Sequence, residues 1–528
     1  MKKFIRSLLS GSLLVFILLA LELLVIVFLQ FGLENFIDNL DIIPDEKVKI
    51  VVSLILIFVR IFSYILAIII LFRVINRMED PEFKIPWIVG LFVAPFFASM
   101  MYIIFGNHGL RKRDRIIIDA TKAAYNSHFI FSEARKVEYR LETGQAIGTF
   151  NYIHNTTLLG VHRYNRIKYY KNGETCFPEL IEDLKKAEHF IFMEFFIITE
   201  GELWDQIRDI LIDRARAGVD VRLIYDDMGC SGTIPVSTPR KLRKEGIKCY
   251  KFHPFRPILS GAFNNRDHRK IVIIDHKYGY TGGMNLADEY ANIEKRFGYW
   301  KDTMVRIEGS AINNLIVTFL QNYNLAAGMV SDYNKYLNHE YPKFEDEGSL
   351  CPFGDGPGGI DDALIGEQNY INIMNYARKT IFISTPYLVP TYSLLDALRN
   401  AALRGVKVHL ILPGIPDKKM VYAVAKSHFR YLLDAGVNIY YYTPGFNHMK
   451  SIIADDELAF VGTVNFDFRS LVHHFECGVD LYKVPCCKEI REDFDEMLEQ
   501  CEKVPKDFKM RLGTRLFCAL FKIFFPLL

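Results

Sequence analysis

HRKIVIIDHKYGYTGGMN at 268–285 and HMKSIIADDELAFVGTVN at 448–465 are the two stretches that decide how this chain folds. Both read H-x-K-x4-D-x6-G-x-x-N. The first supplies His268, Lys270, Asp275, Gly282 and Asn285, and the second His448, Lys450, Asp455, Gly462 and Asn465. With each residue type at about one position in twenty, a chance H-x-K-x4-D among 14 histidines is expected in only a few chains per hundred. Two copies that also share the glycine and asparagine remove coincidence. Histidine and lysine two apart on a strand project from one face, so each copy offers an imidazole beside an ammonium. The glycine admits close approach of a backbone or a substrate, and the asparagine adds hydrogen-bond donors.

Working outward, the surroundings repeat as well. KKAEHFIFMEFFIITEG (185–201) and RARAGVDVRLIYDD (214–227) correspond to NYARKTIFISTPYLVP (375–390) and AALRGVKVHLILPG (401–414). Helices alternating with wholly apolar strands predict an α/β fold with a buried, largely parallel or mixed sheet. The expectation is two tandem α/β domains, 151–345 and 346–500, packed as a pseudo-dimer. A pseudo-twofold axis between them would bring two histidines, two lysines and two asparagines to one cavity. Cationic lysines and amide donors suit a phosphoryl group gaining charge in a transition state. One histidine is then available to attack phosphorus and the other to move protons. No metal or other cofactor is needed, and no metal-ligand spacing stands out. The polar segment 107–150 reads as a connector, and SLCPFGDGPGGIDDAL (349–364) as an irregular bridge between the copies. Residues 501–528 read as a basic amphipathic tail, with Arg511, Arg515 and Lys522 opposite Leu512, Leu516, Leu520 and Ile523, suited to an anionic bilayer.

The 528 residues carry a net charge of +2 with 24% charged side chains, which excludes wholesale disorder and a nucleic-acid-coating protein. Mean hydropathy is +0.10, high for a soluble enzyme. Its source is residues 1–106, which predict transmembrane helices from runs near 8–31, 50–72 and 86–105, each close to the ~20 residues of one crossing. Glu22 and Arg60 are the charges inside the first two runs, and we expect them to pair. Lys2, Lys3 and Arg6 place the N-terminus inside, so three full crossings would leave the body outside. Yet Arg111, Lys112, Arg113 and Arg115 favour the cytoplasmic side. A re-entrant hairpin built from the second and third runs would reconcile the two, giving a multi-pass cell-membrane protein with its α/β domains on the cytoplasmic face. The nine cysteines show no paired spacing and read as reduced thiols.

The paired motifs resemble those of the phospholipase D superfamily. Together with the hydrophobic N-terminus, YYKNGETCF (169–177), MEFFI (193–197) and RDHRK (266–270), they make the chain similar to bacterial cardiolipin synthases from about Pro86 to its C-terminus. The resemblance implies transfer of a phosphatidyl group between two phosphatidylglycerol molecules, with anionic phospholipids and the bilayer as partners and no nucleic acid. It implies His268 as nucleophile, His448 as acid and base, Lys270 and Lys450 on the phosphate, and Asp275 and Asp455 orienting a histidine or supporting the site. Gly282, Gly462, Asn285 and Asn465 are expected to bind substrate. Glu289 and Glu476, each shortly after a motif, are expected to hold the partner imidazole in its correct tautomer. Gly283 departs from the serine many members carry. Hydrolysis of phospholipid, or another alcohol acceptor, would use the same histidines.

Overall fold

The computed structural model describes residues 46–77, 81–106, 110–126, 144–254, 264–337, 339–345, 348–357 and 363–524. They belong to two compact units, one dominated by the chain up to Asn107 and one running from His108 to Lys522 with a short interruption.

In the first unit, α1 (Glu46–Ile75) is the described helix long and apolar enough to cross a membrane. The run at 86–105 is not one continuous helix. It falls on α2 (Pro81–Val93) and α3 (Pro95–Phe105), which are separated at Ala94. Pro95 lacks an N–H and crowds the residue before it, and Ala94 accordingly leaves the helical region at φ −140°, ψ 71°. The chain reverses there. Trp87 and Tyr102 stack edge-on with ring centroids 5.2 Å apart, whereas a straight helix would separate them by about 22 Å. A Cβ on Gly90 would lie 3.3 Å from the Ala98 methyl, so the missing side chain lets the two arms touch. Arg77, just past α1, donates to the carbonyl of Gly106, just past α3, so the hairpin ends near the level where it began. The run at 8–31, and with it the Glu22–Arg60 pair, lies outside the described residues.

The second unit holds two sheets. The first is built from β1 (Arg166–Tyr170), β2 (Phe190–Phe195), β3 (Asp220–Asp226), β4 (Lys248–Phe252), β5 (Lys270–Ile274) and β6 (Tyr278–Gly282). Beyond a short β7 (Tyr299–Lys301), β8 (Met304–Glu308) completes it in the order β1-β8-β6-β5-β2-β3-β4. The second contains β9 (Ser349–Asp355), β10 (Thr380–Ser384), β12 (Lys407–Pro413), β13 (Asn438–Tyr442), β15 (Ser451–Ala454), β16 (Leu458–Gly462), β18 (Glu476–Tyr482) and β19 (Cys501–Lys503). Short strands β11 (Leu388–Val389), β14 (Gly445–Asn447) and β17 (Phe466–Asp467) lie outside it. Its order, β19-β13-β12-β10-β15-β16-β18-β9, repeats the first strand for strand once edge strand β19 is set aside. In each, three parallel strands (β2, β3, β4; β10, β12, β13) adjoin four antiparallel ones. Strand β2 is buried along its whole length, as a mostly apolar run requires, with Glu194 buried among its apolar neighbours.

Two expectations about connecting segments are corrected. Ser349–Asp355, read as irregular, is edge strand β9, paired along its length with β18. An edge tolerates Pro352, and Gly354 is needed there because a Cβ would lie 2.7 Å from the Arg269 guanidinium. The segment read as a connector contains helix Lys112–Asn126, whose Thr121 and Tyr125 are buried. Asn324, on the long helix Ile312–Ala327, donates to the Thr121 hydroxyl.

The motif aspartates also stand elsewhere than expected. Asp275 ends β5, where its carboxylate accepts from the backbone N–H groups of Glu188, His189 and Phe190 at 2.7–2.9 Å. Asp455 does the same for Arg378, Lys379 and Thr380 at 2.7–2.8 Å. Each sits in the left-handed region, at φ 51° and 52°, which aspartate tolerates. A β-strand separates each from its motif histidine, so neither orients an imidazole; each fastens the start of the neighbouring parallel strand. We expect Asp275→Ala or Asp455→Ala to cost about 3–5 kcal/mol in denaturant unfolding, because three N–H groups lose a charged acceptor. The folded fraction should keep its activity per molecule.

Candidate active site

Lys270 opens β5 and Lys450 immediately precedes β15, so both motif histidines sit at the same end of their sheets. There the two halves bind each other reciprocally. The backbone N–H of His268 donates to the carbonyl of Phe475 at 2.9 Å, and that of His448 to Lys301 at 2.7 Å. Strand β14, leading into the second motif, pairs in parallel with β7 of the first half. Asp267 bridges to Phe475 in the mirrored manner.

These contacts carry the side chains into crossed pairs. His268 Nδ1 lies 3.0 and 2.9 Å from the two oxygens of Glu476, a residue of the second half. His448 Nδ1 lies 2.6 Å from Asp302 Oδ2, in the first half. A carboxylate only accepts, so each pairing favours the tautomer with the ring proton on Nδ1 and the lone pair on Nε2; Lys450 Nζ also lies 2.8 Å from His448 Nδ1. Strand register makes the carboxylates equivalent: Gly282 faces Met304 as Gly462 faces Gly478, which sets Asp302 and Glu476 at matching places. The hydroxyls of Thr463 and Ser470 also donate to Glu476. Lys270 and Lys450 each donate to the carbonyl of their own motif histidine.

All six groups are buried. Burial pushes the His268 imidazole down to about 3 against the opposing pull of Glu476. Burial alone would raise Glu476, but the neighbouring imidazole and its hydrogen bonds hold it below the ordinary carboxylate range. His448 is lowered by burial and then by the ammonium groups of Lys450, Lys270 and Lys418. Burial raises Asp302 to about 6, with Lys450 opposing. Burial lowers Lys270 to about 8 and Lys450 to about 7. At neutral pH the site therefore holds neutral imidazoles, ionised carboxylates and lysines near their protonation midpoints. Below about pH 6 Asp302 takes a proton and ceases to be a simple acceptor. Above about pH 8 both lysines lose theirs.

The remaining expected residues divide. Glu289 is not an imidazole partner: it is buried in the short turn Asp288–Ala291 and faces Arg296 at 3.4 Å. Asp302 fills that place, 17 residues after Asn285 and outside the motif's spacing. Gly282 and Gly462 serve strand packing, since a Cβ would lie 2.4 Å from the Thr303 carbonyl and 2.5 Å from that of Cys477. Asn285 is occupied in the scaffold, accepting from Ile197 N–H at 3.0 Å and donating to Tyr290 Oη at 2.7 Å. Asn465, by contrast, is buried with Oδ1 unpartnered. At Gly283 a Cβ would lie 2.0 Å from Asp302 Oδ1, so the departure from serine makes room for that carboxylate. Aromatic rings not singled out earlier enclose the imidazoles. Phe196 lies 4.9 Å from His268, and Tyr290 and Trp300 lie 5.4 and 5.5 Å from His448. His268, His474 and Glu476 have ligand atoms within 4.8 Å of one another, a donor set for a metal ion that would compete with the Nδ1 proton.

We expect nitrogen-15 NMR of the histidines to show His268 as a neutral Nδ1–H ring from pH 8 down to about 3. An ordinary titration near 6.5 would contradict the burial and pairing described.

Residues 180–319 and 370–498 match the family described as cardiolipin synthase, PLD-like domain, and residues 65–107 match the phospholipase D-nuclease N-terminal family. Cardiolipin synthase 2 of Bacillus anthracis is 33% identical over 462 residues, covering 85% of this chain and 88% of that protein. A protein of Streptococcus mutans serotype c is 39% identical over 459 residues, covering 86% and 98%. The phosphatidylserine synthase of Haemophilus influenzae Rd KW20 shares the fold, with a TM-score of 0.53 at 14% identity over 72% of this chain and 97% of that one. With both motif-bearing halves matched and the crossed histidine–carboxylate pairs formed between them, this chain belongs to the cardiolipin synthase family of phospholipase D-like enzymes.

Proposed function

We propose that the enzyme is a membrane-bound phosphatidyltransferase that converts two phosphatidylglycerol molecules to cardiolipin and glycerol through a phosphohistidine at His268. The observation that carries this reading is the pair of neutral, Nδ1-protonated imidazoles held by opposite halves of the duplication. His268 Nε2 attacks the phosphorus of the first phosphatidylglycerol, forming an N–P bond as the bond to the glycerol headgroup breaks. His448, protonated at Nε2 as the anionic substrate enters, gives its proton to the departing alkoxide, and glycerol leaves. The headgroup hydroxyl of the second phosphatidylglycerol then loses its proton to His448 and attacks the phosphorus. The N–P bond breaks, His268 is restored and cardiolipin departs.

Lys270 and Lys450 supply positive charge to the non-bridging oxygens, where charge builds up in each transition state. A phosphodiester anion also favours their charged forms, offsetting the burial that lowers them. The first imidazole is assigned as nucleophile because Glu476, with two hydroxyl donors, is the better-held anion. Asp302 is held closer to protonation, which suits the imidazole that exchanges protons.

Detergent-purified protein given phosphatidylglycerol alone should yield cardiolipin and glycerol in equal amounts by mass spectrometry. His268→Ala should lower turnover by about 10³-fold or more. Phosphatidic acid as the main product would make water the acceptor and replace the transferase reading by a hydrolase one.

The N-terminal unit supports a cytoplasmic placement. If the first apolar run leaves the cytoplasm and α1 returns to it, the α2–α3 hairpin enters the membrane and emerges on that same side. Arg73, Arg77 and Lys84 then share it with Arg111 to Arg115, as positive charge prefers. In cells expressing single-cysteine variants, cysteines placed at Asn76 and Arg111 should both resist an impermeant maleimide until the membrane is opened. Labelling of position 111 alone in intact cells would make 86–105 a full crossing.

A further inference from the structure

Three loops at the histidine end of the second unit carry exposed apolar side chains with no packing role. Two of them are equivalents in the duplication, the loop after β3 and the loop after β12. The first presents Met228 and Val236, the latter 80% exposed; the second presents Ile415 and, just beyond, Met420. The third, at 292–298, follows the first motif and presents Ile293 at 50% exposure.

Each loop borders the reacting groups. A Cβ on Gly229 would lie 2.2 Å from the carbonyl of Phe196, whose ring packs on His268. The 292–298 loop continues from Tyr290, which packs on His448, into Trp300, which packs on the same ring. The loop at 414–418 is tied down by Asp417, which accepts from Tyr387 Oη at 2.6 Å, and carries Lys418, whose charge reaches the His448 ring. Exposed basic groups stand among the apolar tips: Lys295, Lys418 and Lys419.

We propose that this rim is a docking surface for an anionic lipid bilayer, with Met228, Val236, Ile293, Ile415 and Met420 entering the acyl boundary and the lysines meeting lipid phosphates. Apolar side chains exposed singly are ordinary, but five of them on three loops that border the two histidines, interleaved with cations, fit the composition of a membrane interface. The inference rests on the reading of the site as one that acts on lipid. A substrate with two acyl chains need not leave the bilayer for its phosphate to reach His268, provided the mouth itself sits at headgroup depth. The equivalence of the two principal loops places one on each half, so both substrate molecules would be drawn from the same leaflet.

The test uses the full chain reconstituted into vesicles of phosphatidylglycerol and phosphatidylcholine with brominated acyl chains. An environment-sensitive fluorophore is attached to V236C, I415C or K488C, with the parent protein as background. Lys488 is exposed near the opposite ends of the strands, where Arg491 pairs with Asp456 at 3.2 Å. Quenching at 236 and 415 but not at 488 is the expected result, and lowering the phosphatidylglycerol fraction should weaken it. Absence of quenching at both rim positions, with cardiolipin still formed, would overturn the docking proposal and leave the chemistry standing. Quenching at both rim positions without any lipid turnover would support docking while removing the transferase reading. As a second measurement, V236D combined with I415D should raise the apparent KM for vesicle substrate at least fivefold, with short-chain dispersed substrate little affected. An equal loss on both substrates would count against docking.

Discussion

Each motif imidazole is held by a carboxylate belonging to the other half of the duplication. His268 leans on Glu476 and His448 on Asp302, and the backbone N–H groups of both histidines donate across the same seam. Neither half can assemble a working histidine alone, because a buried imidazole without its acceptor would have neither a defined tautomer nor a fixed ring plane. The seam is therefore more than packing. It makes tandem duplication a requirement of the proposed chemistry and accounts for both motifs standing at the same end of their sheets.

Burial sets the electrostatic character of the site, and charge pairing adjusts it. Six titratable groups lie buried together, so every neighbouring charge weighs heavily. Glu476 remains well ionised because several donors converge on it, whereas Asp302 is pushed towards protonation. The two halves share strands and register yet differ in the groups around their carboxylates. Thr463 donates to Glu476, while the matching Gly283 leaves space that the shorter Asp302 occupies. A nearly symmetric scaffold thus supports two unlike imidazoles, as the proposed two-step displacement needs.

Much of this was legible in the residues. The repeated motif identified the duplication and the apolar strands identified the sheet, although the motif histidines lie just ahead of β5 and β15 rather than on them. The acidic partners were harder to read. Glu476 follows Asn465 by 11 residues, but Asp302 follows Asn285 by 17, because the first half inserts an extra turn and loop between motif and strand. Nearness to the motif pointed to Glu289, only four residues after Asn285. Equivalence becomes visible only when WKDTMVRIE and HFECGVDLY are matched as strands rather than by distance from the motif. The motif aspartates misled for a related reason: residues close in a pattern can lie at opposite ends of a strand.

The sequence by itself determined the duplication, the α/β class, the chemistry-bearing residue types and the apolar N-terminus, because these follow from local periodicity and spacing. Only the tertiary structure decided which carboxylate meets which histidine, because that contact joins residues 208 positions apart in one case and 146 in the other. It also decided that Asp275 and Asp455 bind backbone, and that the run at 86–105 folds back on itself. The last depends on a single proline, Pro95, acting with close contacts between Gly90 and Ala98 and between Trp87 and Tyr102. Hydropathy registers the apolar length of such a segment, but it has no means of registering a reversal of direction.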